Sequence, residues 1–369
     1  MSRFSLLFIL MFLWVKTYCQ PSMPVAGDIF YFQTDKSPNN KKSPAKGKVK
    51  FWDYSYLQSP FITKYKVQSI SKKEFSPERA NIVMVTAEGE KHFYIVGKKD
   101  LSLIGQSSDD PFGFGYRSNI SFTNSFKENL SSMKINQVKT EVSETYIEYG
   151  LDNIRDFFLK KLPLMPDSIR LNVLITRRNR VDGTGKLFLP DITLNECIRV
   201  TREETYDYTV DTKVGNYRWS DATELFKDNL AMLPVQNTKV LFYNNKYLLP
   251  VLILNMDNSQ NVNTADYMVP AKIALLRDKP SGQPSITLYP NPAYTKDIKL
   301  EFANIPAGRY TFKMYSLIGN LEKSIPYYIN NSKFDTIDIS DLKPGIYIYA
   351  LVDGLGKIIQ SKRLTIISP

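Results

Sequence analysis

The chain has one histidine and two cysteines in 369 residues. With so few, the usual four-ligand His and Cys sets of a zinc site cannot close. His92 would have to serve any Ser-His-Asp or Cys-His constellation, and no G-x-S-x-G elbow is present to supply its nucleophile. The expectation is therefore a solvent-facing histidine on a strand. Cys19 closes an N-terminal segment expected to be cleaved off, which would leave Cys197 alone and no intrachain disulfide to form. Its surroundings, Leu194-Asn-Glu-Cys-Ile-Arg-Val200, alternate as a strand does, so Cys197 is expected to pack as a small hydrophobe. Gly113-Phe-Gly115 lacks the third glycine and the following helix of a phosphate cradle, and Asp109-Asp110 lacks the spacing of a calcium loop. No cofactor or metal is expected, and no catalytic residue is assigned.

Long apolar runs are also missing, with one exception. Phe4 to Val15 is almost wholly apolar, follows a short basic start and is too short to span a bilayer. Residues 1–19 therefore read as a secretory signal peptide, with cleavage after Cys19. Acylation of Cys19 is the rival, but Lys16 and Tyr18 stand where that site wants leucine and a small residue. The formal net charge is +11. Its densest stretch carries Lys41, Lys42, Lys46, Lys48 and Lys50 among Ser, Pro, Asn and Gly, without an aromatic platform. It reads as a solvated loop, and no nucleic-acid partner is expected. Arg177-Arg-Asn-Arg180 is a second, shorter basic cluster.

Residues 20–277 are dominated by period-two alternation. Gly27 to Gln33, Val49 to Ser55, Ile82 to Thr86, Lys91 to Val96, Ser168 to Thr176, Gly185 to Leu189 and Arg199 to Val210 read as strands. A hairpin is expected at Ala87-Glu-Gly-Glu90 and a turn at Asp182-Gly183. In the longest strand Glu204, Tyr206, Tyr208 and Val210 share one face, and Glu203, Thr205, Asp207 and Thr209 the other. The second face is polar throughout, so one side of this sheet is expected to be wet. Helical spacing occurs over Leu151–Leu162, ended by Pro163, and over Asp221–Leu230. A linker is expected at 278–283.

Residues 284–369 have an alternation of their own. Tyr310, Phe312 and Met314 fall on one face. Ile346, Ile348 and Ala350 alternate with Tyr347, Tyr349 and Leu351. Pro290-Asn-Pro292, Ile318-Gly-Asn320 and Pro344-Gly345 supply turns, and short strands at this spacing suggest a small β-sandwich. The whole chain is thus expected to be mainly β, a large antiparallel domain followed by a small Ig-like β-sandwich.

The small module resembles the type A sorting domain of the type IX secretion system. Tyr289, Pro290, Asn291 and Pro292 carry the likeness at the opening strand. Tyr315, Leu317 and Gly319 match a Y-x-L-x-G strand and turn. Leu342, Gly345, Ile346 and Tyr347 match an L-x-x-G-I-Y strand, and Lys362 matches the late basic position. Asn320 stands where Lys or Arg is more usual. The resemblance implies cargo exported to the periplasm, recognised there by the secretion machinery through residues 284–369, and carried across the outer membrane. It further implies removal of the module and attachment to surface lipopolysaccharide or release, hence a secreted or cell-surface protein. Gly319 and Gly345 are expected where turns need permissive backbone. Asp182-Gly-Thr-Gly-Lys-Leu-Phe-Leu-Pro190, Trp52-Asp53-Tyr54 and Tyr247-Leu-Leu-Pro250 resemble uncharacterised cargo of the same system, which brings no activity.

Three functions remain for residues 20–277. The first is a non-enzymatic adhesive or structural surface module, which the missing catalytic motifs favour. The second is a carbohydrate-binding module, with a polysaccharide ligand stacked on open aromatics. The third is a hydrolase using a carboxylate pair drawn from Asp109, Asp110, Glu203, Glu204, Asp207 and Asp211.

Overall fold

The computed structural model describes residues 22–71, 73–86, 89–109, 117–150, 166–277 and 284–367. The expected signal peptide, the helix at 151–162, Asp110 and the linker at 278–283 lie outside the described residues. No helix among those described is long and apolar enough to cross a membrane.

The large domain is one sheet of 14 strands. In chain order these are β1 (Ile29–Asp35), β2 (Gly47–Asp53), β3 (Thr63–Ser69), β4 (Ile82–Val85), β5 (Lys91–Val96), β6 (Leu101–Asp109) and β7 (Arg117–Lys127), followed by β8 (Val138–Gly150), β9 (Ser168–Phe188), β10 (Thr193–Lys213), β11 (Ser220–Asp221), β12 (Gln236–Tyr243), β13 (Leu252–Met256) and β14 (Val262–Met268). Neighbours run β9-β10-β12-β13-β14-β1-β3-β4-β5-β6-β7, with β2 and β8 sharing the far side of β9. All ladders are antiparallel except β2 on β9, which is parallel. Among the described residues, helix is confined to turns at Thr223–Phe226 and Lys227–Leu230 and to Ala271–Arg277.

The two ends of the sheet meet along β7 and β8, held by side chains rather than a backbone ladder. The Asn124 amide donates to Ser143 Oγ at 3.0 Å, the Glu144 amide to Thr123 Oγ1 at 2.9 Å, and Thr145 Oγ1 to the Ser121 carbonyl at 2.9 Å. Small hydroxyl side chains at Ser143 and Thr145 let the strands approach and satisfy backbone groups an open edge would leave bare. The larger apolar core runs from Tyr31 and Phe32 on β1 through Phe122 and Phe126 on β7 to Leu171 and Val173 on β9, and a smaller one gathers Leu130, Val181, Val200, Leu241 and Tyr243.

Two details depart from the sequence reading. Asp182-Gly183 is not a turn: β9 runs unbroken for 21 residues. The glycines there allow β2 to lie close. A Cβ on Gly185 would meet the Val49 carbonyl at 2.9 Å, and one on Gly183 would meet the Trp52 ring at 3.1 Å. His92 is not solvent-facing but half-buried, its imidazole stacked on Tyr65 at 6.3 Å between ring centroids. Burial pushes its pKa below the ordinary value, so it sits neutral in the sheet.

Cys197 is buried as expected, and burial pushes its thiol up to about 12. A thiol so protonated and covered is a poor nucleophile. Folded protein lacking residues 1–19 is expected to react with a thiol reagent only on the timescale of unfolding. Rapid labelling under native conditions would contradict this placement.

The C-terminal unit contains β15 (Ser285–Tyr289), β16 (Asp297–Ser316), β17 (Leu321–Asp338), β18 (Gly345–Asp353) and β19 (Ile358–Ile366), in the order β15-β16-β18-β19 with β17 on the other side of β16. Its core is separate, built from residues such as Ile286, Phe302, Phe312, Tyr349 and Leu364. Register shifts between Phe302 and Gly308 break the β16–β17 ladder, with Asn304 at φ 55°. Such bulges bend a hairpin, and here they let β16 pair with β15 at one end and β18 at the other.

The two units touch through charge. Lys299 Nζ lies 2.7 Å from Asp35 Oδ1, both side chains buried, and Lys36 Nζ lies 2.5 Å from Glu301 Oε1. Gln58 Nε2 donates to Tyr294 Oη at 2.8 Å. The small unit is therefore docked on the end of β1.

Candidate functional site

The motif residues of the small unit tie its first segment to its last. Tyr289 is buried and donates its hydroxyl to Glu301 Oε2 at 3.1 Å. Asn291 acts as a backbone surrogate: its Nδ2 donates to the Arg363 carbonyl at 2.7 Å, and its Oδ1 accepts from the Thr365 amide at 3.0 Å. Pro290 and Pro292 flank it, following cis peptides. The Ala293 amide then donates to Thr365 O at 2.7 Å, in a parallel bridge with Ile366. From the opposite direction Lys362 Nζ reaches the Ile286 carbonyl at 2.6 Å and Thr287 Oγ1 at 3.2 Å. Leu342 and Tyr347 are buried, and the Tyr347 hydroxyl donates to the Lys343 carbonyl at 2.8 Å.

The remaining motif residues gather at one exposed end. Gly319 has φ +91°, which an L side chain rarely adopts, and closes the Ser316–Asn320 turn. Gly345 does not behave as expected. Its φ is not left-handed, and a Cβ there would meet only a Tyr347 ring carbon at 3.8 Å and Lys343 O at 3.9 Å, ordinary contact. Leu317 is 69% exposed, with Ile318 and Leu321 exposed beside it on the same hairpin tip. Ser316 pairs with Tyr347, which sets that tip next to exposed Ile346, while Tyr315 is half-buried opposite Ile348.

In the large domain the inward face of β9 and β10 holds a charged centre. Register sets Arg177 against Glu204 and Asn179 against Arg202. Arg177 Nε meets Glu204 Oε1 at 2.6 Å, and its Nη1 meets Glu128 Oε1 at 2.6 Å. Arg202 Nη1 meets Glu128 Oε2 at 3.0 Å, and its Nε donates to Asn179 Oδ1 at 2.9 Å. Burial alone pushes both carboxyls up, but the guanidiniums win. Arg202 and Arg177 hold Glu128 below the usual carboxylate range, and Arg177, Lys239 and Arg202 hold Glu204 at about 2. A carboxyl so held has no proton to give at neutral pH, which removes Glu204 as a general acid.

The other candidate carboxylates do not converge on it. Glu203 and Asp207 lie on the opposite face of β10, Glu203 within 3.6 Å of Arg178. Asp211 accepts from Asn172 Nδ2 at 2.8 Å, and Asp109 ends β6. A pocket of about 310 Å³ beside Cys197 is lined by Asn195, Glu196, Asn244 and Lys246 among others, with Glu196 its one acid. No group of three or more His, Cys, Asp or Glu able to hold a metal ion occurs among the described residues.

Residues 287–366 match the family described as the secretion system C-terminal sorting domain. That match supports an exported protein carried to the cell surface or the extracellular space, through interaction with the type IX secretion machinery. The sorting domain thus coincides with the unit closed by Asn291 and Lys362. No curated protein matches the chain. Among solved structures, a novel fungal alcohol oxidase of the AA5 family in complex with copper is 8% identical, with 93% of this chain and 100% of that chain covered and a TM-score of 0.17. Likeness at that level carries no argument about the large domain.

Proposed function

We propose that the protein is type IX secretion cargo whose large domain serves as a non-enzymatic module at the cell surface. The observation that carries the export half is the division of the sorting motif. Tyr289, Asn291, Leu342, Tyr347 and Lys362 close the frame, whereas Leu317 and Ile346 stand exposed with Ile318 and Leu321. Apolar side chains gathered on one exposed end mark a contact surface, and the secretion machinery is the partner this reading gives it. Attachment to surface lipopolysaccharide after removal of the sorting domain belongs to the same reading. For the large domain, the support is the ion-paired state of its buried carboxylates and their separation from the carboxylates of the opposite face.

Changing both Leu317 and Ile318 to Asp is expected to leave the fold intact, since each side chain is largely exposed. Export should nevertheless be lost, with cargo accumulating in the periplasm of a host carrying the system. Surface levels equal to the parent, measured by fractionation and surface labelling, would remove the hairpin tip from recognition.

A further inference from the structure

The outward face of β8, β9 and β10 carries side chains that neither the sorting function nor the core uses. Register aligns Glu148, Arg170 and Asp211 across the three strands, and in the next row Tyr146, Asn172 and Thr209. The β10–β11 connection folds back at Val214–Tyr217 and hangs Trp219 over this face. The Arg170 guanidinium lies 4.6 Å from the Tyr146 ring centroid and 4.1 Å from that of Trp219. It is itself held by Glu148, 2.5 Å from Nη2 and 3.1 Å from Nε. Both rings are thus fixed against one cation, yet Tyr146 remains 55% exposed and Trp219 half-exposed, with Tyr217 at 78% on the adjoining turn.

The unpaired side-chain oxygens of Glu148, Asp211 and Asn172 have one character, while Lys213 Nζ, 6.0 Å from the Trp219 ring centroid, is the cation beside them. Glu148 gives Oε1 to Arg170, and Asp211 gives Oδ2 to Asn172, whose Nδ2 also reaches Thr209 Oγ1 at 3.3 Å. Glu148 Oε2, Asp211 Oδ1 and Asn172 Oδ1 have no hydrogen-bond partner among the described residues. All three are acceptors. A ligand suited to them presents O–H donors in rows and an apolar C–H face for the rings, and carries no anionic groups to oppose the carboxylates. We propose that this face binds a neutral polysaccharide, its sugar rings stacked on Tyr146 and Trp219 and its hydroxyls donating to Glu148, Asp211 and Asn172. The proposal deepens the surface-module reading, on which it rests only for where the ligand is met.

The test uses purified protein lacking residues 1–19, so it does not depend on export. Native gels containing hydroxyethylcellulose, xyloglucan, soluble starch or arabinoxylan should retard the protein in at least one case, while polygalacturonate should not. The double variant Tyr146→Ala/Trp219→Ala and the variant Glu148→Gln/Asp211→Asn should each weaken retardation by about tenfold or more, a change of about 1.4 kcal/mol. Thermal melting reports whether the variants keep the fold. If the aromatic variant loses it, Trp219→Phe and Tyr146→Phe should retain binding better than the single alanine variants. No retardation by any neutral polymer, equal retardation of parent and folded variants, or retardation by polygalacturonate alone would overturn the proposal. Failure of export with retained binding would instead count against the sorting reading alone.

Discussion

Glu128→Ala is expected to destabilise the large domain by about 3–5 kcal/mol, since it leaves the buried Arg202 without a carboxylate and Arg177 with Glu204 alone. Arg177 and Arg202 each meet a different oxygen of Glu128, and both side chains are only 8% exposed. Urea or thermal unfolding of the parent and variant measures the loss. Glu224, in an exposed pair with Lys227 at 3.1 Å, is the control. Its removal should change stability by less than about 1 kcal/mol. A Glu128→Ala variant as stable as the control variant would show that the centre contributes nothing net. The pH dependence has a definite sign. Glu128 and Glu204 are held below the ordinary glutamate value by the arginines, Glu204 at about 2. Their contribution is full above the unfolded value and disappears as pH falls through the folded one. Stability should drop steeply between pH 4.5 and about 2, and Glu128→Ala should flatten that drop.

Removing only residues 361–369 should abolish export as completely as removing 284–369. The short truncation deletes Lys362, Leu364 and Ile366, and with them the partners of Ile286, Asn291 and Ala293 at the other end of the unit. Leu364 and Ile366 are also core residues, so their loss opens the interior of a small domain. The measurement is the partition of cargo between periplasm and cell surface. Normal surface levels of the shorter chain would mean that recognition reads a linear segment upstream of β19. Deleting 284–369 also removes Lys299, but Asp35 then opens to water, where an unpaired carboxylate is well solvated. The large domain should therefore keep its cooperative unfolding.

The β character and the separate C-terminal sheet were legible because alternation of period two survives in strands with one buried face. The same alternation placed Glu204 with Tyr206 and Val210, and Glu203, Thr205 and Asp207 on the wet side, as the structure has them. What it did not reveal was the company Glu204 keeps. Arg177 reaches it across 27 residues and Glu128 reaches Arg177 across 49, and pairing at that range has no local signal. β8 escaped for a different reason. Its outward face mixes Thr140, Glu144 and Glu148 with Val138, Val142 and Tyr146, and its inward face mixes Lys139, Glu141, Ser143 and Thr145 with Ile147 and Tyr149, so polarity does not alternate. β17 carries Pro326 and a run of polar residues, which its position at the outside of the sheet tolerates. Glycine misled twice, at Gly183 and Gly345. A glycine needed for close approach looks the same in sequence as one needed for a turn. Of the candidate binding face, the wet side of β10 was foreseen, but Trp219 reaches Arg170 only through the fold-back at β11.

Because Asn291 and Lys362 join the first strand of the sorting domain to the last, the unit cannot close until residues 362–366 have been made. A ribosome that stalls, or a message that ends early, yields a chain whose address cannot be read, however well the large domain has folded. Placing the export mark in a fold that only residues 362–366 complete makes it a certificate that synthesis has passed the large domain and the whole of the sorting unit. Fragments bearing an intact large domain would be held back from the surface without any separate inspection.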